Sequence, residues 1–480
     1  MKRDVFSSRL LQSRIHSGNT TKSEQILGYF IGPCLVYMMY NGVAGTYLTQ
    51  FYTDVLGLAG GFLTMMPLVS KLFSGIISFF IGRLIDQTHT PQGKARPWIL
   101  SSGILLAVCG ILLYAVPRAS HSVQIAWIVI SYNLFFSLAF STYALSHSLM
   151  VPLSTRDTKQ RDSLAMLTST GTAMIPGMLV TIVMPLLVKA IGVGSAAQGA
   201  WITVMGILSV IAIPATLVEY YFTKERVTEQ MQETAGEKAT VSFGQQIKAC
   251  FRDKYWVMIM VFTLILHLCS TLSTSAMLYF CNWVLGDSVD SGAFNQILVN
   301  AIGQFPMGLG IVVLWPLVRR FGKRKVTIIG FAIASVGALG VLLSGSNLVA
   351  VLVCLFIKST GGLPTYVMAA LLAEALDHVE AKNGFRVDGF SASVNSIALT
   401  VMMGLSQTIL LGGINAFGYI TPESTSQIIA QPEAIQSFFG WSFAGIPMVG
   451  YAICAAIMLF YNMESQTPQI TSALAKKKEN

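Results

Sequence analysis

The sequence predicts an all-α membrane protein of twelve transmembrane helices, arranged as two six-helix halves. Three observations carry this expectation. Only 11% of the 480 residues are charged and 53% are hydrophobic, with a mean hydropathy of +0.63, whereas a soluble domain carries about 25% charged residues. Such a chain cannot cover itself with a water-facing surface, so its apolar runs belong in lipid. The basic residues gather in loops on one side, and a loop motif of the first half returns in the second.

Apolar runs of helix length fall at about 26–51, 61–85, 97–117, 123–149, 163–189, 200–222, 255–284, 292–316, 326–344, 347–373, 391–417 and 438–461. Unpaired backbone groups have no partner in hydrocarbon, so each run must be helical. Pro67, Pro176, Pro306 and Pro364 lie inside these runs, a placement that membrane helices accept. Residues 1–24 are polar and lack the apolar core of a signal peptide, so they read as a tail. The charged stretch 223–254 links a first bundle (25–222) to a second (255–462), and 463–480 forms another tail. Within the linker, 243–254 reads either as an amphipathic helix on the membrane or as a solvated loop.

Of 31 lysines and arginines, 27 fall in the tails and loops of one side, only Arg118 and Lys189 fall on the other, and Lys71 and Lys358 lie within spans. By the positive-inside rule both termini are cytoplasmic, which requires an even number of spans. The net charge of +9 is thereby explained without a nucleic-acid partner. GKARPWI (Gly93 to Ile99) follows span two, and GKRKVTI (Gly322 to Ile328) follows span eight, roughly half a chain later. This is a parallel repeat of six helices. Six of the seven cysteines (Cys34, Cys109, Cys269, Cys281, Cys354, Cys454) lie in apolar runs with neither metal-ligand nor disulfide spacing. There is no nucleophile–base pair or phosphate loop, and no enzyme or metal site is expected.

Three stretches carry a family signature: FYTDVLGL (Phe51 to Leu58) joined to GKARPWIL (Gly93 to Leu100), LMVPLSTRDTKQRDSL (Leu149 to Leu164), and LLAEALDHVEAKNGFRVDGF (Leu371 to Phe390). Together they resemble the glycoside–pentoside–hexuronide:cation symporters, the melibiose-permease branch of the major facilitator superfamily. The resemblance implies a secondary transporter working by alternating access, with solute bound between the halves. It assigns gating contacts to Arg83, Asp86, Gly93, Lys94, Arg96, Asp377 and Arg386. Asp86 is expected to accept hydrogen bonds from a helix N-terminus, and the basic residues to bridge to acids such as Asp157, Glu374 or Asp377.

Family members that couple sugar to sodium or protons carry two aspartates one turn apart on span two. Those positions are Ser74 and Ser78 here, and the helix-four acid becomes Ala144, with Ser141 nearby. The helix-one acid falls near Met38, the helix-five arginine on Thr168 or Ser169, and the helix-eleven lysine near Thr400. No Asp or Glu occupies the central part of a span, and Glu219 and Glu374 sit at cytoplasmic ends. Sodium coupling is therefore not expected, while proton coupling stays open.

What stands at mid-depth is basic. Lys71 precedes Ser74 and Ser78 at i, i+3 and i+7 on one helix face, and Lys358 lies as deep in span ten. An ammonium there is costly without a partner. Three arrangements satisfy it: a neutral amine, a water-filled cavity, or an anionic solute. Packing against backbone carbonyls is the bland alternative for each. His267 in span seven is a candidate proton carrier, whereas His147 lies at a helix end. Tyr37, Tyr40, Asn41, Asn133, Tyr143, Asn300, Gln304 and Asn395 suit either sugar contacts or interhelical polar packing. The residues point to an anionic glycoside, hexuronide or organic-acid conjugate, moved by a monomer in a bacterial plasma membrane. A lysophospholipid-like amphiphile and a non-transporting membrane sensor are the rival readings.

Overall fold

The computed structural model describes residues 11–58, 61–155, 157–226, 243–385 and 387–463. Among them, eleven helices are long and apolar enough to cross a membrane. The first six are Glu24–Val55, Met65–Asp86, Arg96–Tyr114, His121–Ser154, Ser163–Ile191 and Ser195–Tyr221. Lys254–Trp283, Lys323–Leu343, Leu348–Asn383, Val394–Ala416 and Glu433–Phe460 follow. A further 33-residue helix, Val289–Phe321, stands where the eighth span is expected. Counting it, the helices are numbered one to twelve in chain order. A short helix, Phe243–Phe251, precedes helix seven and turns Phe251 outward while burying Cys250. That stretch is therefore helical up to Phe251.

The chain forms two compact units, Met1–Lys238 with Thr421–Gln427, and Ala239–Ile420 with Ile428–Asn480. Helix two shows the polarity rule of a membrane bundle. It buries Ser70, Lys71 and Ser74 and exposes Val69, Leu72, Phe73, Ile76 and Phe79. Close backbone approach depends on small residues. In the first unit a β-carbon on Gly103 would lie 2.0 Å from Thr216 Oγ1, and one on Gly110 would lie 2.3 Å from Ser209 Oγ, so helices three and six meet nearly backbone to backbone. In the second unit a β-carbon on Gly337 would lie 2.4 Å from the Lys358 backbone nitrogen, so helix nine presses on the backbone of helix ten at Lys358.

Several helices widen into π-helical stretches: Glu24–Ile31 and Phe51–Val55 in helix one, Leu134–Phe140 in helix four, Thr170–Met174 in helix five and Trp441–Gly445 in helix twelve. Such wide turns leave carbonyls poorly satisfied and often mark functional positions.

Candidate functional site

The two mid-depth lysines have different surroundings. Lys71 is buried on helix two with its ammonium 4.2 Å from the centre of the Phe136 ring. Among the described residues no oxygen accepts a hydrogen bond from it. Phe136 belongs to the π-helical stretch of helix four. Beside it, Ser137 Oγ lies 2.6 Å from Ser74 Oγ, and Ser74 also donates to Ser70 O at 2.8 Å. Ser137 continues to Asn133 Oδ1 at 3.4 Å, and Ser141 Oγ donates to Phe136 O at 3.0 Å. Lys71, Ser74 and Ser141 thus converge on one wide turn of helix four, and Ser78, a turn further along helix two, is half-buried.

Lys358 in the second unit has the partners that Lys71 lacks. Its Nζ donates to Ser273 Oγ at 3.0 Å and to Phe443 O at 3.1 Å, and lies 4.8 Å from the Phe443 ring centre. Ser273 Oγ donates to the same carbonyl at 2.7 Å. That carbonyl lies in the wide turn of helix twelve. For Lys358, packing against the backbone is the arrangement found.

The other second-unit candidates are not gathered around it. His267 is half-buried on helix seven, where its carbonyl accepts Thr271 Oγ1 at 2.8 Å. Thr271 Oγ1 is also 2.6 Å from Ser406 Oγ on helix eleven. Asn395 and Thr400 are half-buried on helix eleven, and Thr400 Oγ1 donates to Ser396 O at 2.9 Å within its own helix. No hydrogen bond joins His267, Asn395 or Thr400 to Lys358 among the described residues.

In the first unit Tyr37, half-buried on helix one a turn before Asn41, meets Tyr40, Phe140, Tyr143 and His147 edge-on at 5.7–6.4 Å. Tyr143 and His147 stack at 5.6 Å. Behind them lies a buried carboxylate. Glu219 is 0% exposed. Its Oε1 is 2.6 Å from His147 Nδ1, and its Oε2 accepts the Tyr143 hydroxyl at 2.7 Å. The sequence places Glu219 and His147 at helix ends. The structure instead makes them one buried network joining helices four and six.

The ends of the helices near the Arg83–Arg96 loop also differ from expectation. The carboxylate that receives a helix N-terminus is Glu225, not Asp86. Glu225 Oε1 accepts the Ala95 and Arg96 amides at 2.9 and 3.0 Å, and Oε2 accepts the Lys94 amide at 2.9 Å. Asp86 is exposed and pairs with Lys94 Nζ at 3.2 Å. Arg96 is 2% exposed, donates to Tyr220 O at 2.8 and 3.3 Å and lies 4.5 Å from the Tyr220 ring centre. It therefore locks helix three to helix six, a role for which no acid is needed. Arg83 is exposed. Glu374 pairs with Lys323 within the second unit, beside half-buried Asp377. Arg386 lies outside the described residues.

A family model described as "MFS/sugar transport protein" matches residues 28–465. The chain belongs to that family. It is a membrane transporter of the glycoside–pentoside–hexuronide branch of the major facilitator superfamily, not an enzyme. It is 27% identical over 446 residues to the isoprimeverose transporter of Lactiplantibacillus pentosus, covering 91% of this chain and 88% of that protein. It is 25% identical over 449 residues to the glucuronide carrier protein homolog of Escherichia coli (strain K12), covering 91% of each. Among solved structures, a bacterial homolog of the human lysosomal transporter Spinster matches with a TM-score of 0.60 at 13% identity, covering 93% of this chain and 96% of that one. This last likeness shows the fold.

Proposed function

We propose that this major facilitator transporter moves a sugar-type solute bearing an acidic group, with Lys71 as the cation that receives it. The observation that carries the reading is the Lys71 ammonium, buried over Phe136 with no acceptor among the described residues, on the helix face where sodium-coupled relatives keep aspartates. An aromatic face offsets part of the cost of a desolvated ammonium, about 2 kcal/mol. A buried cation without a counter-charge costs more than that. A carboxylate or sulfonate on the solute would supply the missing acceptor, and Ser74 and Ser78 would offer hydroxyls to the sugar.

In this reading the chain crosses a bacterial inner membrane twelve times as a monomer, with both termini cytoplasmic. Its halves alternate in access around the solute. Serines at the two aspartate positions remove the charged oxygens that a sodium ion requires, so a sodium gradient does not drive transport. The similarity to a protein named as a glucuronide carrier homolog supports an acidic sugar, and the similarity to an isoprimeverose transporter supports a glycoside.

The test is counterflow in proteoliposomes with methyl β-D-glucuronide and isoprimeverose as probes. Wild type should exchange the glucuronide, and Lys71→Met should lose that exchange by at least tenfold. Equal glucuronide counterflow in Lys71→Met and wild type overturns the assignment.

A further inference from the structure

Glu219, His147 and Tyr143 have no part in holding an acidic sugar at Lys71, yet they form a buried, hydrogen-bonded set of titratable groups in the first unit. An ionised carboxylate only accepts hydrogen bonds, and a neutral imidazole donates from one nitrogen and accepts at the other. With Glu219 ionised, both its oxygens accept, Oε2 from the Tyr143 hydroxyl and Oε1 from His147 Nδ1–H. His147 Nε2 is then a lone pair. It is buried, and no partner reaches it among the described residues.

Among the described residues, no lysine or arginine forms an ion pair with the cluster. From helix one come the Tyr37 ring and Gly32, where a β-carbon would lie 2.9 Å from Glu219 Cβ. Glu24, at the start of helix one, is held by Arg226 at 2.7 and 2.9 Å. From helix three, Arg96 is occupied by the Tyr220 carbonyl. Among the described residues, no lysine or arginine hydrogen-bonds Glu219.

We propose that Glu219, His147 and Tyr143 are the proton-binding site through which this transporter couples solute movement to a pH gradient. The coupling rests on the transport reading above, whereas the proton site itself does not. One proton adds to the Nε2 lone pair of His147 while Nδ1–H stays on Glu219. The cluster passes from a net charge of −1 to an internally neutral imidazolium–carboxylate pair, and release reverses the step. No other bond forms or breaks. Tyr37 stands edge-on to both rings and is half-buried, so a solute ring seated on it alters the packing of the imidazole that holds the proton. A purely structural clamp would keep one protonation state throughout and exchange nothing.

Two measurements separate this proposal from the transport reading. The first needs no solute: infrared difference spectra of the full protein in lipid, recorded as pH is stepped. Wild type should show linked carboxylate and imidazole bands that titrate together. Glu219→Gln should lose the carboxylate band, and Tyr143→Phe, which keeps the ring stack, should displace the midpoint. If Glu219→Gln leaves the titrating bands unchanged, the site is wrong. The second is counterflow of methyl β-D-glucuronide as a function of pH, together with its accumulation under an imposed pH gradient. One-to-one coupling gives wild type up to tenfold accumulation per pH unit. Glu219→Gln should show a flat pH profile and no accumulation, whatever its rate. A wild-type pH profile and accumulation in Glu219→Gln overturn the coupling. If wild type moves neither glucuronide nor isoprimeverose, the transport reading fails for these probes, and the infrared titration still decides the proton site.

Discussion

A β-carbon on Gly93 would lie 2.2 Å from the carboxyl carbon of Glu225. Gly93 also has φ +105°, a region that L side chains rarely adopt. The two facts have one origin. The loop after helix two folds tightly enough for three consecutive amides to reach a single carboxylate that comes from beyond helix six.

Gly93→Ala is therefore expected to cost about 2 kcal/mol or more, from the backbone and from the displaced carboxylate. Glu225→Ala is expected to cost about 1–2 kcal/mol through the lost cap. The costs should not add, because removing the carboxylate also removes the clash. Thermal unfolding of both single variants and the double variant in detergent checks this, and strict additivity would refute the contact.

The buried lysines are expected to respond oppositely to methionine. Lys358→Met removes a charged donor from Phe443 O and Ser273 Oγ, and should cost about 1.5–3 kcal/mol. Lys71→Met replaces an ammonium with no acceptor among the described residues by an apolar chain of similar length, and should be neutral or stabilising. Melting temperatures of the two variants, compared with wild type, decide the matter. Equal losses would mean that Lys71 has a structural partner after all.

Ser74→Asp places a carboxylate one turn from Lys71 on the same buried face. The pair should satisfy the ammonium internally, so glucuronide counterflow should fall at least tenfold while isoprimeverose counterflow persists. The informative readout is the ratio of the two rates. An unchanged ratio would show that the ammonium does not select the solute's charge.

The helices were legible because each is written locally in hydropathy. The buried face of helix two was legible too, from the spacing of Lys71, Ser74 and Ser78. Glu219 was not. It stands at the end of an apolar run and 72 residues from His147, so in one dimension both resemble residues reaching for water. Only the close packing of helices one, four and six buries them. A signal for that packing was present: Gly28 and Gly32 are spaced as a small-residue seam, with hypothetical β-carbons 2.4 Å from Phe222 O and 2.9 Å from Glu219 Cβ. Glu225 escaped for a similar reason. It opens a charged stretch that composition alone reads as linker, yet 223–226 is tied back into the first unit.

That tie supplies the last prediction. Arg226 donates to both carboxylate oxygens of Glu24 at 2.9 and 2.7 Å, and also to Ser154 O and Asn19 O, while its own amide reaches Leu153 O at 2.8 Å. Glu24 is 0% exposed, so truncating the arginine leaves a buried carboxylate with no counter-charge among the described residues. Arg226→Ala should cost about 3–5 kcal/mol. Glu24→Gln should cost less, because the amide oxygen still accepts one guanidinium hydrogen bond and no lone charge is buried. Arg226 also holds the segment before helix one, so Arg226→Ala should speed proteolysis within residues 14–24, and Glu24→Gln should do so only weakly. Comparable cleavage rates in the two variants would show that the segment is held by something other than the guanidinium.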